Sequence, residues 1–105
     1  MLVQDGVILM DDTIYLNNLY DYYGDLLTDK QKKYFEDYYF TNLSLAEISE
    51  NSGVSRNAVY KQIKEAISKL EFYEEKLGLL KKATEIKRLI QPLDEKIQDE
   101  IKELI

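Results

Sequence analysis

The 105-residue chain is 45 % apolar and 32 % charged, with a formal charge of −6, the size and composition of one helical domain built on one core. It holds no cysteine and no histidine, which excludes disulfides, zinc sites of the usual kind, Ser-His-Asp triads and Cys-His pairs. No apolar run approaches the ~20 residues of a membrane span, and no Lys or Arg precedes Lys30, so neither membrane insertion nor a signal peptide is expected and the chain reads as cytoplasmic.

Residues 1–12, "MLVQDGVILMDD", have no helical period, and Asp5-Gly6 is a turn signal; they read as an extended arm. A first helix is expected from Asp12 or Thr13 to about Asp25, with Ile14, Leu16, Leu19, Tyr22, Tyr23 and Leu26 as its apolar bulk. Thr28 and Gln31 form a capping box for a second helix, whose spacing buries Tyr34, Phe35, Tyr38 and Tyr39. Ser44 and Glu47 repeat the box for a short third helix, with Leu45, Ile48 and Ala46 facing inward and Gly53 at its end.

Ser55 then caps a fourth helix that runs through Leu70 without Gly or Pro. At 100° per residue, Val59, Ile63, Ala66, Ile67 and Leu70 share one side, and Asn57, Lys61, Lys64 and Ser68 the other, with Tyr60 on a flank. The pair of helices around Gly53 therefore has the outline of a helix-turn-helix, with residues 55–69 as its reading element.

Beyond Leu70, Tyr73, Leu77 and Leu80 continue the stripe, and Ile86, Ile90, Leu93, Ile97, Ile101 and Leu104 follow at near-heptad spacing. Gly78 marks a bend. Gln91-Pro92 breaks the run, giving a helix to about Ile90 and another from about Leu93 with Pro92 in its first turn. This seam packs either on its own chain or across a homodimer.

Charge is uneven. Residues 1–43 sum to −5, 44–70 to +1 and 71–105 to −2, and within 55–70 Arg56, Lys61, Lys64 and Lys69 face only Glu65. As a binding module, Ser55 and Arg56 lie near phosphates at a helix N-terminus, and Asn57, Tyr60, Lys61 and Lys64 meet base edges, Asn suiting adenine and Lys guanine. Four cations in an acidic body give weak binding in one copy, and a dimer doubles the contacts. As a protein adaptor, the chain would use its tyrosine-rich first two helices, with Tyr22, Tyr23 and Tyr39 as the candidates left open between core and interface. Catalysis has little to work with. The adjacent pairs Asp11/Asp12 and Glu74/Glu75 point apart, and the four glycines are too scattered for a phosphate loop. No catalytic residue, metal or cofactor is expected.

The stretch from Leu26 to Leu77, with Leu27-Thr28, "SLAEIS", "GVSRNAVY" and "KLEFYEEKL", resembles region 4 of sigma-70-type factors. With the tyrosine-rich "LYDYYGDLLT" of residues 19–28, it resembles more closely the YlxM-like proteins, over roughly Leu16 to Leu80. That resemblance implies an all-α, sigma region 4-like helix-turn-helix bundle without a wing and with an additional C-terminal helical segment. The expected parts are the arm (1–12), the helix-turn-helix domain (13–78) and the C-terminal helices (79–105). It also implies a regulatory or accessory role in the signal recognition particle pathway. The expected partners are then DNA or the particle's RNA, and the particle's GTPase. A DNA-reading region 4 commonly carries more Arg along its reading helix, whereas here Glu36, Asp37, Glu47 and Glu50 flank it, which argues against sequence-specific promoter reading.

Overall fold

The computed structural model describes residues 12–105, so the arm expected over 1–12 lies, apart from Asp12, outside the described residues. These residues form six α-helices: α1 (Thr13–Tyr23), α2 (Asp29–Tyr39), α3 (Leu45–Ser52), α4 (Arg56–Leu77), α5 (Leu79–Leu89) and α6 (Glu95–Lys102), with a 3-10 turn over Gly24–Leu26. No strand occurs among them.

Both capping boxes form. The Gln31 amide donates to the Thr28 hydroxyl at 3.2 Å while the Thr28 amide donates back to Gln31 at 3.1 Å. Ser44 and Glu47 exchange the same pair at 3.0 Å each. Each cap supplies about 1 kcal/mol by satisfying amides that the first turn leaves free.

The core gathers on α4. Its stripe of Val59, Ile63, Ala66, Ile67 and Leu70 meets Leu16, Leu19 and Tyr23 of α1, Tyr34, Phe35 and Tyr39 of α2, and Leu45 and Ile48 of α3. Each large side chain so enclosed contributes roughly 1.5–3 kcal/mol. Tyr20 stacks on Phe35 at 4.8 Å between ring centres, and Phe35 in turn meets Tyr39 at 4.7 Å.

Two expected apolar positions of the first helix are exposed instead. Ile14 lies at the free start of α1, and Leu26 sits in the 3-10 turn, whose tighter winding carries it off the helical stripe. Leu27, in extended backbone, takes the buried place. Tyr38 is half-buried, as is Ala46.

Where α1, α4 and α5 meet, one carboxylate organises three elements. The Tyr23 hydroxyl donates to Glu74 Oε1 at 2.7 Å and accepts the Leu79 amide at 3.1 Å. Glu74 also accepts the amides of Leu80 and Lys81, at 3.0 Å each. A side chain of α4 thus caps the start of α5, across the left-handed Gly78 that ends α4. Partial burial raises the Glu74 carboxyl, but the Tyr23 hydroxyl, the two amides and the Lys81 charge outweigh it and hold it below its usual value of 4.5.

At the C-terminus the break falls where Pro92 sets it, but α6 starts at Glu95, not near Leu93. The Lys96 amide donates to Asp94 at 2.8 Å, so Asp94 is the cap and Pro92 stays in the preceding turn. Gln98 closes that turn by donating to the carbonyls of Gln91 (2.9 Å) and Leu93 (2.7 Å). Ala83 and Ile90 are buried on α5, while no residue of α6 is.

Glu74→Ala removes one acceptor from two amides and a buried hydroxyl, and is expected to cost about 2 kcal/mol in urea denaturation. A carboxyl held below its usual 4.5 stabilises the fold above that pH and loses the contribution as pH falls through its folded value. The difference in stability between wild type and Glu74→Ala is therefore expected to shrink below pH 4.5, with other carboxylates common to both. A gap constant from pH 7 to pH 3 refutes the capping role.

Candidate nucleic-acid interface

The turn between α3 and α4 is built from Gly53, Val54 and Ser55. Gly53 adopts φ 71°, a left-handed conformation that costs a side-chain-bearing residue roughly 1 kcal/mol or more. Nothing lies within 4 Å of where its Cβ would stand, so the glycine answers to backbone conformation and not to crowding. The Gly53 amide closes on the Ser49 carbonyl at 2.9 Å, and the Ser49 hydroxyl donates to the Val54 carbonyl. Ser55 then accepts the Ala58 amide at 3.1 Å and starts α4.

With Val59, Ile63, Ala66, Ile67 and Leu70 turned into the core, the opposite face of α4 is open to solvent. Asn57, Lys61, Lys64 and Ser68 are all exposed along it, as the helical projection requires. Ser55 and Arg56 are exposed at its N-terminal end. Lys61, Lys64, Glu65, Ser68 and Lys69 line a shallow open depression of about 480 Å³. Tyr60 differs from the rest: it is half-buried and packs against the core.

Two features of the patch lie beyond sequence reasoning. Lys69 donates to the buried Gln31 of α2 at 3.0 Å, so it braces α4 against α2. Gln31 serves the capping box and this brace with one oxygen. The flanking carboxylates also have local work. Glu47 closes the α3 box, Glu36 accepts the Tyr20 hydroxyl, and Asp37 pairs with Lys33 at 3.3 Å.

Of the three tyrosines open between core and interface, two are buried. Tyr23 is 1 % exposed and Tyr39 8 %, because both fall on the inward stripes of their helices. Burial, reinforced by Tyr38, pushes the Tyr39 phenol well above its usual range. Tyr22 stays half-buried at the rim of a depression of about 400 Å³ shared with Asp21, Lys87 and Ile105.

An all-α bundle whose fourth helix follows a glycine turn, buries one face and exposes a polar, basic one defines a helix-turn-helix protein. The family described as "Putative helix-turn-helix protein, YlxM / p13 like" matches residues 10–105, and the chain belongs to it. A UPF0122 protein of Caldanaerobacter subterraneus subsp. tengcongensis is 52 % identical over 85 residues, covering 81 % of this chain and 73 % of the relative. A UPF0122 protein of Thermoanaerobacter sp. (strain X514) is 49 % identical over 88 residues, 84 % of this chain and 75 % of the relative. One from Halalkalibacterium halodurans is 46 % identical over 89 residues, 85 % and 82 % of the two chains. The family match runs through α5 and α6 to the last residue, further than the resemblance legible at Leu16 to Leu80.

Tyr23→Ala is expected to lower stability by about 3–5 kcal/mol, as large buried aromatic truncations do. Tyr22→Ala is expected to cost about 1 kcal/mol or less. Thermal or urea denaturation distinguishes them, and equal losses would mean that Tyr22 too is a core residue.

Proposed function

We propose that the protein is a nucleic-acid-binding regulatory or accessory factor that reads its ligand with the outer face of α4, and not an enzyme. One observation carries the reading: Asn57, Lys61 and Lys64 lie exposed on the single face of α4 that the core does not use, directly after the turn. Ser55 and Arg56 lie near phosphates at the helix start, Asn57 meets a base edge, and Lys61 and Lys64 meet base edges while adding their charge toward the phosphates. Tyr60, half-packed on the core, offers at most its ring edge.

Three cations fix the scale. Each phosphate neutralised contributes a slope of about −0.9 to log K against log salt on duplex DNA, so three contacts lose roughly 40-fold in affinity between ~50 and ~200 mM salt. A single copy is then a weak binder at cellular salt, and useful affinity comes from two copies acting together. The resemblance to YlxM-like proteins supplies the ligand class to try first, the RNA of the signal recognition particle in the cytoplasm, with its GTPase as protein partner. Sequence-specific duplex DNA is the competing ligand.

A fluorescence titration of labelled particle RNA with random duplex DNA as competitor, at low and physiological salt, tests the reading. Binding to the RNA is expected to survive competition. Lys61→Ala and Lys64→Ala are each expected to weaken it and to reduce the salt slope by about one, while the folding transition stays in place. Unchanged affinity and slope in both variants would remove α4 from the interface.

A further inference from the structure

Nothing buries α6. It is eight residues long with no enclosed side chain, and helices shorter than ~12–15 residues are marginal in water without a packing surface. Its local ties, the Asp94 cap and the Gln98 bonds, contribute about 1 kcal/mol each. Apolar residues in and around it nevertheless stay open: Ile97 in α6, and Leu93 and Leu104 just outside its two ends, are 43 %, 43 % and 84 % exposed, with Ile101 half-buried. On α5, Ala83 and Ile90 are buried, while Leu79 and Leu89 remain open at 42 % and 60 %, flanking Ile86. Exposed apolar side chains gathered on two successive helices mark an interaction site.

Charge says what covers it. Residues 79–90 carry Lys81, Lys82, Lys87 and Arg88 against Glu85, a balance of +3. Residues 93–104 carry Asp94, Glu95, Asp99, Glu100 and Glu103 against Lys96 and Lys102, a balance of −3. Among the described residues no ion pair joins the two helices; Arg88 pairs within α5, to Glu85. Projected at 100° per residue, Lys82 falls among Leu79, Ile86 and Leu89, and Glu100 beside Ile97. One helix thus sets basic charge and the other acidic charge beside exposed apolar residues. A two-fold axis maps each half onto its opposite, because an isologous contact pairs residue i with j and j with i.

We propose that the occupant is a second copy of this chain, with α5 of each protomer packed on α6 of its partner. The apolar residues form the centre of the seam, the opposed charges its rim, and the orientation is antiparallel because the reverse one sets like charges together. The core of α1–α4 is left whole in each protomer, and both α4 outer faces remain free.

Analytical ultracentrifugation of the full chain over a dilution series tests this independently of any nucleic acid. The wild type is expected at twice its 12.4 kDa. Ile97→Glu with Leu104→Glu is expected at the chain mass, with the cooperative thermal transition of the core retained, since neither residue is enclosed in the protomer. Lys82→Glu is expected to shift the mass downward, and adding Glu100→Lys to restore it, a rescue that mere loss of folding does not give. A wild type at the chain mass throughout, which would return the surface to a different protein, overturns the proposal. So does an unchanged mass in the Ile97→Glu, Leu104→Glu variant, or a Lys82→Glu variant that stays dimeric.

Discussion

The structure depends on one helix serving two masters. α4 runs for 22 residues, and the helices α1, α2, α3 and α5 all make contact with it. Its stripe of Val59, Ile63, Ala66, Ile67 and Leu70 is the wall on which the core is assembled. Because every enclosed neighbour approaches from that side, the remaining arc of the helix is free of packing demands. Polar side chains can occupy it at little cost to stability. The exposed row of Asn57, Lys61, Lys64 and Ser68 is therefore a consequence of the core, not an addition to it. The same constraint explains the turn. α3 must fold back onto the start of α4 within three residues, and Gly53 supplies the left-handed step that lets Leu45 and Ile48 reach Val59 and Ile63.

The far end of α4 is governed by a polar joint. Tyr23 is enclosed, so its hydroxyl must be satisfied, and Glu74 does this while also holding two amides of α5. A cap from an ordinary Ser or Asp would sit immediately before α5, but that position is Gly78, which has no side chain to offer. A carboxylate four residues earlier, one helical turn back, reaches around instead. Removing either partner leaves polar atoms without acceptors. The direction of α5, and with it the placing of everything beyond Gly78, follows from this joint.

Much of this was legible before any coordinates. The two capping boxes, the Gly53 turn, the Ser55 cap and the two-sided character of α4 rest on residues at most four apart, and short-range spacing is what a sequence displays directly. The unreadable parts join residues far apart: Tyr23 with Glu74, and Lys69 with Gln31. Tyr23 and Tyr39 were left open between core and surface because a tyrosine on a helical stripe serves either place, and only the assembled neighbours decide. Leu26 misled through a change of winding, since the 3-10 turn rotates it out of a stripe drawn at 100° per residue. Asp94 is hard to read as a cap in the sequence because Pro92, two residues earlier, is the stronger start signal.

The remaining tension is between a body of charge −6 and a reading helix of positive sign. Distance resolves it. The described residues span 51 × 22 × 21 Å, while exposed charges are screened over about 8 Å at physiological salt. A phosphate at Lys61 or Lys64 therefore responds to the local patch and only faintly to carboxylates on the far sides of α1 or α6. Glu65 sits within the patch itself, while the flanking Glu47, Glu36 and Asp37 are held in a cap, a phenol contact and an ion pair, which fixes where their charge lies. Net charge then acts in a different way: it makes the acidic surfaces repel a polyanion, which favours approach to the basic outer face of α4. An acidic protein with a basic reading face gains orientation from the same carboxylates that limit its affinity.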